Sequence, residues 1–132
     1  MIAQRGYGLY MLVRDIAACP HRRVLDNSIL CELLHPGRKG DAGAPGCSIA
    51  HAIVPAGEST LPHRLKKATE LYYILSGTGR MHIGGEEEDV RPGQAVLIPP
   101  KAVQHIRNTG AGDLEFLCIV IPAWQEEDEE LA

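Results

Sequence analysis

Aromatic side chains are scarce in this chain of 132 residues, which holds one phenylalanine, one tryptophan and four tyrosines. Surfaces that stack nucleic-acid bases interleave such rings with basic residues. Here the basic residues Arg22, Arg23, Arg38, Lys39, Arg64, Lys66 and Lys67 are scattered without rings between them, so no nucleic-acid partner is expected. Patterned cysteine is missing as well. Cys19, Cys31, Cys47 and Cys118 match neither a Cys-x-x-Cys redox pair nor a paired zinc motif. They read as reduced thiols, with Cys31 and Cys118 in packing roles. Long apolar runs are lacking too: Leu9 to Val13 is cut short by Arg14 and Asp15, too soon for a signal core or a membrane span. A cytoplasmic protein with no membrane partner is expected.

Helical periodicity is the last absence. No window from Tyr7 to Pro122 keeps apolar residues at three- and four-residue spacing for more than about two turns. What is present is the composition of one globular domain, 45% apolar and 23% charged. Short strand-like runs fill it: Tyr7 to Val13, Arg23 to Leu25, Ser28 to Leu34, Ser48 to Val54, Glu70 to Leu75, Arg80 to Ile83, Ala95 to Ile98, Val103 to Asn108 and Leu114 to Ile121. Turn formers separate them, among them Ser76-Gly77-Thr78-Gly79, Gly84-Gly85 and Pro92-Gly93. This pattern predicts an all-β sandwich or barrel. The net charge of -4 comes from two acidic runs, Glu86 to Asp89 and Glu126 to Glu130; the second reads as a solvated tail, with or without a short terminal helix, beyond Trp124 as an anchor.

Candidate chemistry is concentrated between Gly57 and Gly77. His63 stands six residues after Gly57, Leu65 two further on, Glu70 seven after His63, and Gly77 seven after Glu70. A second series follows with Gly93, Pro99, Lys101, Gln104 and Asn108. Both series resemble the two motifs of the cupin superfamily with every spacing kept. In the first, Leu65 takes the place of the second histidine; in the second, Lys101 replaces a glycine and Gln104 a histidine. The ending from Phe116 to Trp124 is similar to small stand-alone cupins of the mannose-6-phosphate isomerase-like type.

The resemblance implies a single-domain cupin jelly-roll barrel with a short terminal extension, and a homodimer. In this reading residues 7–34 form N-terminal strands, 37–46 a glycine-rich loop, 48–121 the cupin core and 123–132 the acidic tail. Alternation on strands puts His63 with Leu65 on one face, Glu70 with Tyr72 and Ile74, and Gln104 with Ile106 and Asn108. Sliding the second motif by one residue would instead turn His105 inward, which puts Gly93 and Asn108 out of register. The implied metal ligands are thus His63, Glu70 and Gln104, with His105 as the alternative to Gln104. Leu65, Tyr72, Ile74, Ile106 and His51 are the expected pocket residues, His51 either reaching the site or lying on a dimer surface.

An amide is a weaker donor than the imidazole it replaces, so the implied cofactor is one divalent ion (zinc, iron, manganese or nickel) held with low affinity, or none. Three functions stay open. In the first, the ion assists an isomerase, lyase or oxygenase acting on a small polar metabolite, a sugar or hydroxy acid. In the second, the barrel is a metal-free small-molecule binder. In the third, His63 and Glu70 act as a metal-free acid-base pair. Bland roles compete: His63 could simply be hydrogen-bonded to Glu70, His82 reads as a surface residue, and His21 and His35 carry no reading.

Overall fold

Alternate residues of the longest strands are buried, and that period of two organises the chain. A computed structural model describes residues 11–38, 40–41 and 46–132. In chain order the strands are β1 (Arg22–Arg23), β2 (Ile29–Leu34), β3 (Ser48–Val54), β4 (His63–Leu65), β5 (Thr69–Ser76), β6 (Gly79–Ile83), β7 (Glu86–Val90), β8 (Ala95–Ile98), β9 (Gln104–Asn108), β10 (Leu114–Ile121) and β11 (Glu129–Leu131). They form a six-stranded sheet in the order β1-β2-β3-β10-β5-β8 and a five-stranded sheet in the order β11-β4-β9-β6-β7. Every pairing is antiparallel.

Strand β10 shows how the sequence makes the core. Leu114, Phe116, Cys118 and Val120 are buried, while Glu115, Leu117 and Ile119 alternate with them on the outer face. In register, Phe116 lies between Ala52 of β3 and Ile74 of β5. The small alanine leaves room for the ring, which meets Tyr72 at 4.3 Å between centroids and a tilt of 36°. Met81, Val90, Ile98 and Ile106 complete this core from the neighbouring strands.

Two backbone positions explain residues of the spacing pattern. Gly77 sits at φ +79°, and a Cβ there would lie 2.4 Å from the Asp113 carbonyl oxygen, so only glycine fits. Lys101 occupies the place where the cupin motif has glycine, and it is held at φ 72°. A left-handed conformation costs a non-glycine residue about 1–2 kcal/mol. Lys101→Gly is therefore expected to raise unfolding stability by up to about 1 kcal/mol once the greater freedom of unfolded glycine is subtracted. Urea unfolding checks this, and a variant less stable than wild type contradicts it.

Several elements depart from the expectation. Met11 to Val13 is not strand, and residues 7–10 of that run lie outside the described residues. Asp41, within the expected loop, is buried, pairing with Arg14 and accepting from the His35 N–H at 3.1 Å. Glu86 to Val90 forms a strand at the sheet edge, where exposed charges oppose pairing with another chain. The acidic tail is not wholly solvated. Asp128 is buried and accepts from the N–H groups of Lys67 and Ala68, at 2.8 and 3.1 Å, and β11 then pairs with β4. Trp124 does anchor this end, packing on Leu65, Ala68 and Val120. Among the described residues no helix is long and apolar enough to cross a membrane.

Candidate functional site

Three donor atoms meet where β4, β11 and the turn after β1 converge. The β4–β9 register sets His63 opposite Gln104, and the β4–β11 register sets Leu65 opposite Glu129. Asp26 comes from the turn between β1 and β2. One oxygen or nitrogen of His63, Asp26 and Glu129 lies within 4.8 Å of those of the other two.

The other polar atom of each group is already engaged. His63 Nδ1 lies 2.7 Å from the Leu61 carbonyl, which can only accept, so Nδ1 carries the hydrogen and Nε2 is turned toward the carboxylates. Asp26 Oδ1 accepts from the Ser28 N–H at 3.0 Å and from its hydroxyl at 2.7 Å. Glu129 Oε1 accepts from the Trp124 indole at 2.9 Å. What remains is His63 Nε2, 3.5 Å from Asp26 Oδ2 and 4.0 Å from Glu129 Oε2. Fixing the outer atoms so that the inner ones converge is how proteins orient metal ligands.

Glu70 and Gln104 form a second pair beside this cluster. Gln104 Nε2 donates to Glu70 Oε1 at 2.7 Å, and both residues are buried. The other amide atom, Gln104 Oε1, is buried with no partner among the described residues. Such an orphaned acceptor calls for a donor or a cation. Burial pushes the Glu70 carboxyl up to about 8; the Gln104 hydrogen bond opposes the shift, and the nearby Glu129 and Asp26 charges add to it. Glu70 thus keeps its proton at neutral pH. Burial also raises Glu129, against the indole hydrogen bond and the attraction of His63.

The Glu70 shift makes stability depend on pH with a definite sign. Folding raises its pKa from 4.5 to about 8, so the native state holds the proton more tightly and stability falls as pH rises through that window. Glu70→Gln keeps an oxygen for Gln104 and removes the titration. In the presence of a chelator the variant is expected to gain nothing at about pH 4 and on the order of a few kcal/mol at about pH 9. Urea unfolding across the pH series checks this; a gain independent of pH contradicts it.

A cavity of about 160 Å³ opens beside these groups, with Arg22, Leu30, Ser48, Glu70, Trp124 and Glu129 in its wall. The expected pocket residues sit elsewhere. Tyr72, Ile74 and Ile106 fill the main core, and Leu65 packs with Ala68, Val120 and Trp124. His51 faces away from the interior, because its neighbours Ala50 and Ala52 are the ones turned to the core. Its partners there are His21 and Glu115.

The register places Gln104 inside and His105 outside. His105 stacks on His82, its partner across β6 and β9, at 4.1 Å and 10° between planes. His82 is accordingly half-buried and also lies 3.2 Å from Glu87, where a bare surface position was expected. His63 is not hydrogen-bonded to Glu70; its imidazole is turned to Asp26 and Glu129. Those two acids escaped sequence reasoning. Asp26 followed by Ser28 is a legible turn signal, but nothing in spacing links it to His63.

Known proteins resemble this chain in both sequence and fold. The sequence profile of the family described as Cupin domain matches residues 50–120. An uncharacterized protein of Methanocaldococcus jannaschii is 42% identical over 107 residues, covering 80% of this chain and 82% of that protein. An oxalate-binding protein of Thermotoga maritima is 35% identical over 72 residues, 54% of this chain and 60% of that one. Among solved structures, a protein of Thermotoga maritima described as a predicted oxalate decarboxylase superposes with a TM-score of 0.72 at 25% identity, covering 83% of this chain and 97% of its own.

Proposed function

We propose, since this chain belongs to the cupin domain family, that its barrel holds a divalent cation on His63, Asp26 and Glu129 and through it binds a small oxygen-donor metabolite. The observation that carries this reading is the set of three inward donor atoms whose outer atoms are all engaged. One imidazole and two carboxylates suit manganese, iron or zinc. The orphaned oxygen of Gln104 offers a further polar contact. When bound, such an ion supplies a Lewis acid that polarises a ligand oxygen.

A hydroxy acid or other small carboxylate is the ligand class favoured. The Thermotoga maritima relative is described as oxalate-binding, and a cavity of about 160 Å³ suits a molecule of that size. Glu129 and Glu32 in the wall oppose a bare anion, whereas a bound cation, with Arg22 beside it, favours one. Ligand binding is thus expected to require metal. A sugar, as in the isomerase-like cupins, is the alternative ligand. Glu70, protonated at neutral pH, would place an acid at the cavity wall.

The test uses untagged protein treated with a chelator and titrated with manganese(II) in a calorimeter. About one ion per chain is expected, with stabilisation of about 2.7 kcal/mol at a free concentration near a hundred times Kd. Oxalate or glycolate should then bind only after metal. No heat and no shift in melting temperature would overturn the reading. Oxalate or glycolate bound equally well under chelator would favour the metal-free binder, and turnover surviving the chelator the acid-base enzyme with Glu70 as acid.

A homodimer is part of the proposal. Tyr73, Leu75, Leu97 and Ile121 are exposed on the outer face of the six-stranded sheet, Leu97 at 62%. Leu71, Leu117 and Ile119 lie between them, and a contiguous apolar sheet face suits a self-complementary twofold contact. Light scattering should give twice the chain mass, and Leu97→Glu should halve it. A cytoplasmic setting accords with four free cysteines.

A further inference from the structure

On the outer face of the same sheet, away from the barrel interior, residues converge that the cupin motifs do not include. Cys31 of β2 lies opposite His51 of β3 in register. The segment before β1 brings His21 and Cys19 onto them. His21 Nε2 stands 2.8 Å from His51 Nδ1, and the two rings meet edge to face with centroids 5.1 Å apart. One donor atom from each of His21, Cys31 and His51 lies within 4.8 Å of the other two. The Cys19 thiol lies beside that of Cys31 and donates to the Glu32 carbonyl at 3.5 Å.

The hydrogens of the two imidazoles can be assigned from their outer partners. His21 Nδ1 is 3.0 Å from the Cys19 carbonyl oxygen, which only accepts, so that nitrogen carries a hydrogen. His51 Nε2 is 3.0 Å from Glu115 Oε1, and a carboxylate likewise accepts. The nitrogens that face each other, His21 Nε2 and His51 Nδ1, are then left with lone pairs 2.8 Å apart. Two lone pairs at that distance repel unless a proton or a metal cation is shared between them. A carbonyl behind one ligand imidazole and a carboxylate behind the other is the recurrent support of metal-binding histidines.

We propose that His21, Cys31 and His51 form a second metal site, for a zinc-type cation. Imidazole and thiolate together favour zinc over manganese or magnesium, which the oxygen-rich barrel site suits better. The Cys31 thiol is pushed up to about 12, chiefly by burial and then by the neighbouring Cys19 thiol. A thiol releases its proton to solvent on binding a metal, so affinity rises with pH. The role follows from what the site ties down. It fastens the segment before β1 to β2 and β3, and the next turn carries Asp26 of the barrel cluster.

The test adds cobalt(II) to the untagged, reduced, metal-free full chain. A thiolate-to-cobalt band in the near ultraviolet, bleached by zinc(II), is expected. His63→Ala, which removes a barrel donor, should leave the band in place. Cys31→Ser and the half-exposed His21→Ala should each abolish it while circular dichroism stays that of a folded barrel, and Glu115→Gln should weaken cobalt binding roughly 10–100-fold. No band in folded wild type, or a band surviving both Cys31→Ser and His21→Ala, would overturn the site.

Discussion

Asp26→Asn is expected to lower manganese affinity by about 100-fold or more, while Glu70→Gln leaves it within a few-fold. The two outcomes separate the ligand set seen in the geometry from the one that the motif spacing implies. Asp26 Oδ2 and His63 Nε2 are 3.5 Å apart, whereas the described hydrogen bond of Glu70 is to Gln104. Asparagine keeps an oxygen for the Ser28 N–H and hydroxyl, so the turn stays closed and the loss falls on the metal. Titration followed by the resonance signal of free manganese(II) reads both variants. A loss confined to Glu70→Gln would return the site to the ligand set of the family motif.

Phe116→Ala is expected to cost about 3–5 kcal/mol. The ring is 1% exposed, rests on Tyr72, and lies between Ala52 and Ile74 on a strand paired on both sides. Neighbouring strands cannot collapse into the gap without breaking the central ladder. Against a total stability of about 5–15 kcal/mol this takes a large share. The urea midpoint should fall with little change in slope. Leu97→Ala, by contrast, removes a side chain 62% exposed and should change monomer stability by no more than about 0.5 kcal/mol. Equal losses in both variants would contradict the placement of the core.

These two variants also mark what the sequence made legible. Ser48 to Val54, Ala95 to Ile98 and Leu114 to Ile121 were readable to the residue, because apolar side chains lie between clear turn formers. Strands β7 and β11 were not, since edge strands rich in Glu have no apolar period to show. Motif spacing brought His63 and Gln104 face to face across β4 and β9, and the inward turn of Gln104 followed from keeping Gly93 and Asn108 in register.

The rest of the site depends on contacts that spacing does not encode. Glu129 reaches His63 only because Asp128 is clamped by the N–H groups of Lys67 and Ala68, which lays the last strand along β4. Asp26 reaches it through a turn locked by Ser28. With Leu65 where a ligand would stand, the chain brings carboxylates from its two ends to the one imidazole. The histidines and cysteines of the outer face were opaque for the same reason: His21 and His51 meet only when two strands pair and the preceding segment folds over them.

Anomalous diffraction from a manganese-soaked crystal locates the barrel cation directly. One peak is expected in the barrel, within coordination distance of His63 Nε2, Asp26 Oδ2 and Glu129 Oε2. A peak on Glu70 and Gln104 instead, or an interior with no peak at saturating manganese, would contradict it.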